Sequence, residues 1–122
     1  IQNTIDAISH STCAMAIDVD AKAIVVNSIS GQTARMVSRF RCPAPIIGTT
    51  TDKKIWRQLS LSWGVTPILN QYYDSQDLMF KEGLESAIKL FDLKVGDKVV
   101  LTGGKNNGEP GNTNTVRIET IK

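Results

Sequence analysis

Histidine occurs once in these 122 residues, as His10, and cysteine twice, as Cys13 and Cys42. A zinc site needs about four Cys, His or carboxylate ligands, and nothing here supplies them at metal spacing. Neither cysteine belongs to a CxxC pair, so both read as small packed hydrophobes, in keeping with a reducing cytoplasm. Charge of one sign is also lacking. Fourteen Lys and Arg against 12 Asp and Glu leave a net +2, too little to argue for nucleic acid or a membrane surface. No apolar run approaches the ~18 residues of a membrane span, and no secretory or transit signal opens the chain. The first residue is Ile1 rather than Met, which suggests a segment excised from something longer.

What is present is the composition of one globular domain, 41% hydrophobic and 21% charged. Ile1, Ile5, Ile8, Thr12, Met15 and Val19 recur at steps of four and three, one face of a helix. Ala23–Val26 is a short unbroken apolar run, the pattern of a strand buried on both faces. A turn-forming cluster follows, then a short helical face of Ala34, Val37 and Phe40, ended by Pro43 and Pro45. Ile46 and Ile47 make a second strand. Asp52 caps a helix whose stripe is Ile55, Leu59 and Trp63, with Gly64 placed as its terminating glycine. Val65–Leu69 is a third strand, assigned to an edge by Pro67. Asp74-Ser75 caps a last helix with the face Phe80, Leu84, Ala87, Ile88 and Phe91. After a turn at Val95-Gly96-Asp97, Val99–Leu101 form a fourth strand. Val116 and Ile118, alternating with Arg117 and Glu119, form a half-exposed fifth, antiparallel at an edge. This order predicts an α/β three-layer sandwich: a five-stranded, mostly parallel sheet, its last strand antiparallel, with helices on both faces.

In such a sheet ligands sit at the carboxyl ends of the strands, where two loops are expected to converge. The first is Ser28-Ile29-Ser30-Gly31-Gln32-Thr33. Its hydroxyls donate hydrogen bonds, Gly31 admits close backbone approach, and the unsatisfied amides of a helix start favour an anion. A serine-rich helix cap with nothing bound has the same make-up. The second loop runs from Gly103 to Asn114. It carries Gly103, Gly104, Gly108 and Gly111, the charge of Lys105, and Asn112, Thr113 and Asn114 as donors near its end. Loops of that length are uncommon in compact domains and often functional; an ordinary flexible hairpin is the alternative. No catalytic residue stands out. The GxxxxGKS/T phosphate loop and the GxGxxG dinucleotide fingerprint are both absent. The strand ends lack the acidic pocket of a response-regulator receiver. His10 has no evident nucleophile to serve.

Several segments together resemble the C-terminal domain of pyruvate kinases. They are Ser30-Gly31-Gln32-Thr33, Phe40-Arg41-Cys42-Pro43-Ala44-Pro45-Ile46-Ile47, Trp63-Gly64-Val65-Thr66-Pro67, Gly96–Gly104 and Gly111-Asn112-Thr113-Asn114-Thr115. They occur in order over nearly the whole chain. The resemblance implies a regulatory and assembly domain spanning 1–122, with the catalytic barrel absent. In the family that barrel transfers phosphate from phosphoenolpyruvate to ADP and uses Mg2+ and K+, so this domain needs no cofactor and no metal of its own. The implied partners are the protein's own catalytic domain, further copies in a tetramer, and a phosphorylated effector; neither nucleic acid nor membrane is implied, and the setting is the cytoplasm. Carried over by position, the phosphate cradle is Ser28, Ile29, Ser30, Gly31, Gln32 and Thr33. The covering loop contributes Gly103, Gly104, Lys105, Gly111, Asn112 and Thr113.

The chain departs from members that respond to fructose 1,6-bisphosphate. Met79 falls near the position where those members carry an arginine for the second phosphate. Gly104 stands where many have tryptophan, and Ile29 where some have a basic residue. Hydroxyl donors for one phosphate are kept and charges for a second are weak, which favours a sugar monophosphate or AMP over the bisphosphate. A purely structural tetramerisation module with a vestigial pocket is the alternative.

Overall fold

The computed structural model describes residues 4–27, 32–40, 43–50, 52–62, 64–69, 76–103 and 115–121. In chain order the elements are α1 (Thr4–Asp18), β1 (Ala23–Asn27), α2 (Gln32–Arg39), β2 (Ile46–Thr50), α3 (Lys53–Leu59), β3 (Val65–Leu69), α4 (Gln76–Phe91), β4 (Lys98–Gly103) and β5 (Thr115–Thr120). The strands form a single sheet in the order β3-β2-β1-β4-β5. All neighbours are parallel except β4 and β5, as the alternation of helix and strand in the sequence demands.

The sheet divides the core in two. On one face Cys13 and Ala16 of α1, Ala34 and Val37 of α2, and Leu59 of α3 pack over Ile24, Val26, Ile46 and Val100. On the other, Phe80 and Ala87 of α4 pack over Ala23, Val25, Ile47, Val99 and Leu101. Side chains alternate along each strand, so β1, buried throughout, feeds both layers. The helices therefore lie on both faces, three on one and one on the other.

Local chemistry explains the element ends. The Asp52 carboxylate accepts from the backbone N–H groups of Lys54 at 2.8 Å and Ile55 at 3.2 Å, two of the four orphan donors of a helix start. The Asp52→Ala chain is expected to lose about 1 kcal/mol of stability, read as a lower urea midpoint at unchanged slope. Gly64 takes φ +72°, a left-handed turn that sets β3 beside β2, where its carbonyl accepts from the Ile46 N–H at 3.0 Å. Pro67 sits on β3, the edge strand, as its missing N–H requires.

Three details differ from the sequence reading. The buried side of α1 takes in Ser9, Cys13 and Ala16 beside Thr12 and Val19 of the expected face, with Ile8 and Met15 half-buried, while Ile1 and the Ile5 side chain lie outside what is described. Phe40 follows α2 and is 41% exposed, edge-on to His10 with ring centroids 5.6 Å apart, rather than buried. Cys13 is buried but disulfide-bonded, not a free packed thiol. Bridging depends on Cα separation in space, which sequence spacing does not carry. Cys42, the other cysteine, lies outside the described residues, as do Trp63 and the Asp74-Ser75 cap.

Candidate ligand site at the carboxyl ends of the strands

Chain order reverses direction across the sheet at β1. Its next strand, β2, lies on one side, and β4 lies on the other. This is a topological switch point, where loops leaving adjacent strands splay apart and open a crevice. The two loops singled out in the sequence leave from these two strands. Val26 pairs with Thr102, which sets Asn27 and Gly103 side by side as the last residues of β1 and β4.

Of the expected cradle, Gln32 and Thr33 form the start of α2. Ser28, Ile29, Ser30 and Gly31 lie outside the described residues. Of the expected covering loop, Gly103 is the buried end of β4, while Gly104, Lys105, Gly111, Asn112 and Thr113 lie outside them. The structure thus brings together the strand ends that carry the loops, and the first turn of α2. No acidic residue occupies that turn, which leaves the positive end of the helix dipole uncompensated by its own side chains.

The strand ends themselves carry a feature that the motif reading passed over. The central strands end in buried polar residues: Asn27 on β1, Thr49 and Thr50 on β2, and Thr102 on β4. The Thr49 hydroxyl lies within donating range of both the Val26 carbonyl, at 3.3 Å, and the Asn27 side-chain oxygen. Thr50 accepts from the Asp52 N–H at 3.2 Å. The amide nitrogen of Asn27 is buried with no partner among the described residues. The signal in the sequence was the polar ending of otherwise apolar strands: Asn27 after Ala-Ile-Val-Val, Thr49 after Ile-Ile-Gly, Thr102 after Val-Val-Leu.

The helix above this cluster approaches it closely. A β-carbon at Gly83 of α4 would fall 2.7 Å from Cγ1 of Val25 and 4.0 Å from Oδ1 of Asn27. Glycine at this point lets α4 cross β1 tightly, so Asn27 lies on the α4 side of the sheet. A separate shallow cleft of about 190 Å3 lies between α4 and β4–β5, lined by Phe80, Lys81, Leu84, Leu101, Arg117 and Glu119. The Arg117 guanidinium lies 4.9 Å from the centre of the Phe80 ring, and 3.9 Å from Glu119.

Among the described residues no three His, Cys, Asp or Glu side chains come together as a metal site. No described helix is long and apolar enough to cross a membrane.

A mostly parallel sheet with helices on both faces and a switch point at β1 defines an open α/β domain. Residues 6–119 match the family described as "Pyruvate kinase, alpha/beta domain", and the chain belongs to it. It is 36% identical over 121 residues to a pyruvate kinase of Clostridium acetobutylicum, covering 99% of this chain and 26% of that protein. A pyruvate kinase of Geobacillus stearothermophilus is 37% identical over 121 residues, covering 98% of this chain and 21% of the relative. One from Sporosarcina psychrophila is 35% identical over 119 residues, with 98% and 20% covered. The chain thus spans a fifth to a quarter of the length of these curated relatives.

Proposed function

We propose that this chain is the C-terminal regulatory and assembly domain of a cytoplasmic pyruvate kinase, binding a phosphorylated effector at the carboxyl ends of β1 and β4. The parent enzyme would transfer phosphate from phosphoenolpyruvate to ADP in a separate catalytic domain, which also holds Mg2+ and K+. The observation that carries the reading is the adjacency of β1 and β4 at the switch point. It sends the hydroxyl-rich loop 28–33 and the glycine-rich loop 103–114 out from neighbouring strands. The start of α2 supplies backbone amides and a positive dipole for one phosphate. A second phosphate has little charge to meet, since Met79 and Ile29 stand at the positions discussed above. A sugar monophosphate or AMP is therefore favoured over fructose 1,6-bisphosphate.

Calorimetric titration of the chain with ribose 5-phosphate, glucose 6-phosphate, AMP and fructose 1,6-bisphosphate tests the reading. Saturable heat with a monophosphate is the expected result. The paired substitution Ser30→Ala with Thr33→Ala is expected to weaken that binding about tenfold or more, the loss of two hydroxyl bonds to a charged group. An unchanged dissociation constant would remove the cradle assignment.

The assembly role is supported by the unequal edges of the sheet. β3 carries Pro67 and resists further pairing. The other edge, β5, has six residues, no proline and a half-exposed Ile118, and is open to a second copy of the chain. A tetramer needs two kinds of symmetric contact, and we assign one of them to this edge. If no ligand binds to the folded chain while the edge contact forms, the domain is an assembly module with a vestigial pocket.

A further inference from the structure

We propose that the cleft between α4 and β4–β5 is a binding site for a small apolar carboxylate, with the Arg117 guanidinium as its anion-binding group. The site does not depend on the cradle reading. Arg117 stands opposite Leu101, on the α4 face of the sheet and two residues before the end of β4 at Gly103. The cleft exists because α4 packs over β1, β2 and β4, while β5 lies beyond its flank. Phe80, Leu84 and Leu101 make an apolar floor, in which Phe80 and Leu101 are buried. Lys81, Arg117 and Glu119 carry the charge, two cations against one carboxylate. No neutral polar side chain lines the cleft, so a sugar would leave its hydroxyls without partners, which is costly.

The surplus positive charge selects an anion, and the floor selects an apolar body. A cavity of about 150 Å3 holds benzene, so this cleft of about 190 Å3 takes one ring or branched chain, with the carboxylate at its mouth. The guanidinium is already placed for it, 4.9 Å from the centre of the Phe80 ring. Stacking there presents its planar fork of donors, the geometry that a carboxylate meets with two bonds. Glu119 approaches the guanidinium only to 3.9 Å, and the two side chains of that pair are 37% and 39% exposed. A pair so long and so wet contributes little. An incoming carboxylate therefore displaces Glu119 and bonds to Arg117 at shorter range.

Titration of the 122-residue chain with 3-phenylpropanoate, followed by NMR, tests the site. The methyl resonances of Leu84 and Leu101 are expected to shift saturably, with a dissociation constant on the order of a millimolar. Static methyl resonances up to about 10 mM overturn the proposal. The neutral analogue 3-phenylpropanamide is expected to bind about tenfold more weakly, and equal binding of acid and amide rejects an anion site. Arg117→Met keeps a long side chain beside Phe80 and is expected to weaken binding of the acid about tenfold. Glu119→Gln removes the competing carboxylate and is expected to tighten it about threefold, a gain that damage to the fold would not produce. Unchanged affinity in Arg117→Met, or weaker binding in Glu119→Gln, overturns the assignment. Should Arg117→Met fail to fold, the amide comparison and Glu119→Gln decide. Ribose 5-phosphate is expected to leave both methyl groups unmoved, and saturable shifts there equal to those of the acid would reject an apolar ligand.

Discussion

The Phe80→Ala chain is expected to lose about 3–5 kcal/mol of folding stability. For a domain whose whole margin is on the order of 5–15 kcal/mol, that is a drop into partial unfolding at physiological temperature. Phe80 is 2% exposed and is the largest of the fully buried side chains among the described residues. It lies in the layer with Val25, Ile47 and Leu101, which α4 alone covers among the helices. The opposite layer draws on α1, α2 and α3, so it tolerates the loss of one contact better. Removing the ring also strips Arg117 of the aromatic face 4.9 Å from its guanidinium. Urea unfolding followed by far-ultraviolet circular dichroism reads the loss as a lower midpoint. Leu90→Ala, on the exposed side of the same helix, serves as the comparison and is expected to change stability by no more than about 0.5 kcal/mol. A midpoint for Phe80→Ala equal to that of Leu90→Ala would show that α4 is held by something other than this ring.

Much of the architecture was legible because it rests on periodicity. The run Ala23–Val26 read as a doubly buried strand and Pro67 pointed to an edge, and both are as the sheet has them. Asp52 and Gly64 mark the limits of α3 and the turn that follows through donors and φ, both local properties. Where tertiary contact decides, the sequence was a weaker guide. In α1 the expected face was right at Thr12 and Val19, but the burial of Ser9, Cys13 and Ala16 beside them depends on how the helix is turned against the sheet. The bonding of Cys13 is likewise a fact of proximity. It also bears on the cytoplasmic setting proposed above, where disulfides are usually transient or redox-responsive. At the candidate site, loop composition identified the two segments that carry hydroxyls and glycines, and topology brought their strands together. The polar strand ends were visible as residues but not as two sets, with Asn27 and Thr49 on the α4 face of the sheet and Thr102 on the other.

Charge reversal at the β5 edge is expected to turn the assembled chain into monomers. Two β5 strands related by a twofold axis perpendicular to the sheet pair antiparallel, and directly opposed residues point to the same face. Such an axis must pass through a residue, because an axis between residues would oppose side chains from different faces. Centred on Arg117 or Glu119, it sets like charges against each other, which is destabilising. Centred on Ile118, it opposes Arg117 of each copy to Glu119 of the other and places the two half-exposed isoleucines together. Arg117→Glu converts both cross-strand pairs to like charges, and so does Glu119→Arg. On the proposed contact the unaltered chain is expected to sediment as a dimer, and each single variant as a monomer at the same concentration. The double variant Arg117→Glu with Glu119→Arg restores opposite charges and is expected to restore the dimer. That recovery separates pairing from a mere loss of the Phe80–Arg117 stacking, which the double variant does not repair. Recovery would fix Ile118 as the centre of the contact. Monomers in Arg117→Glu and the double variant with a dimer in Glu119→Arg would assign the loss to the stacking, and dimers in all three would move the contact away from β5.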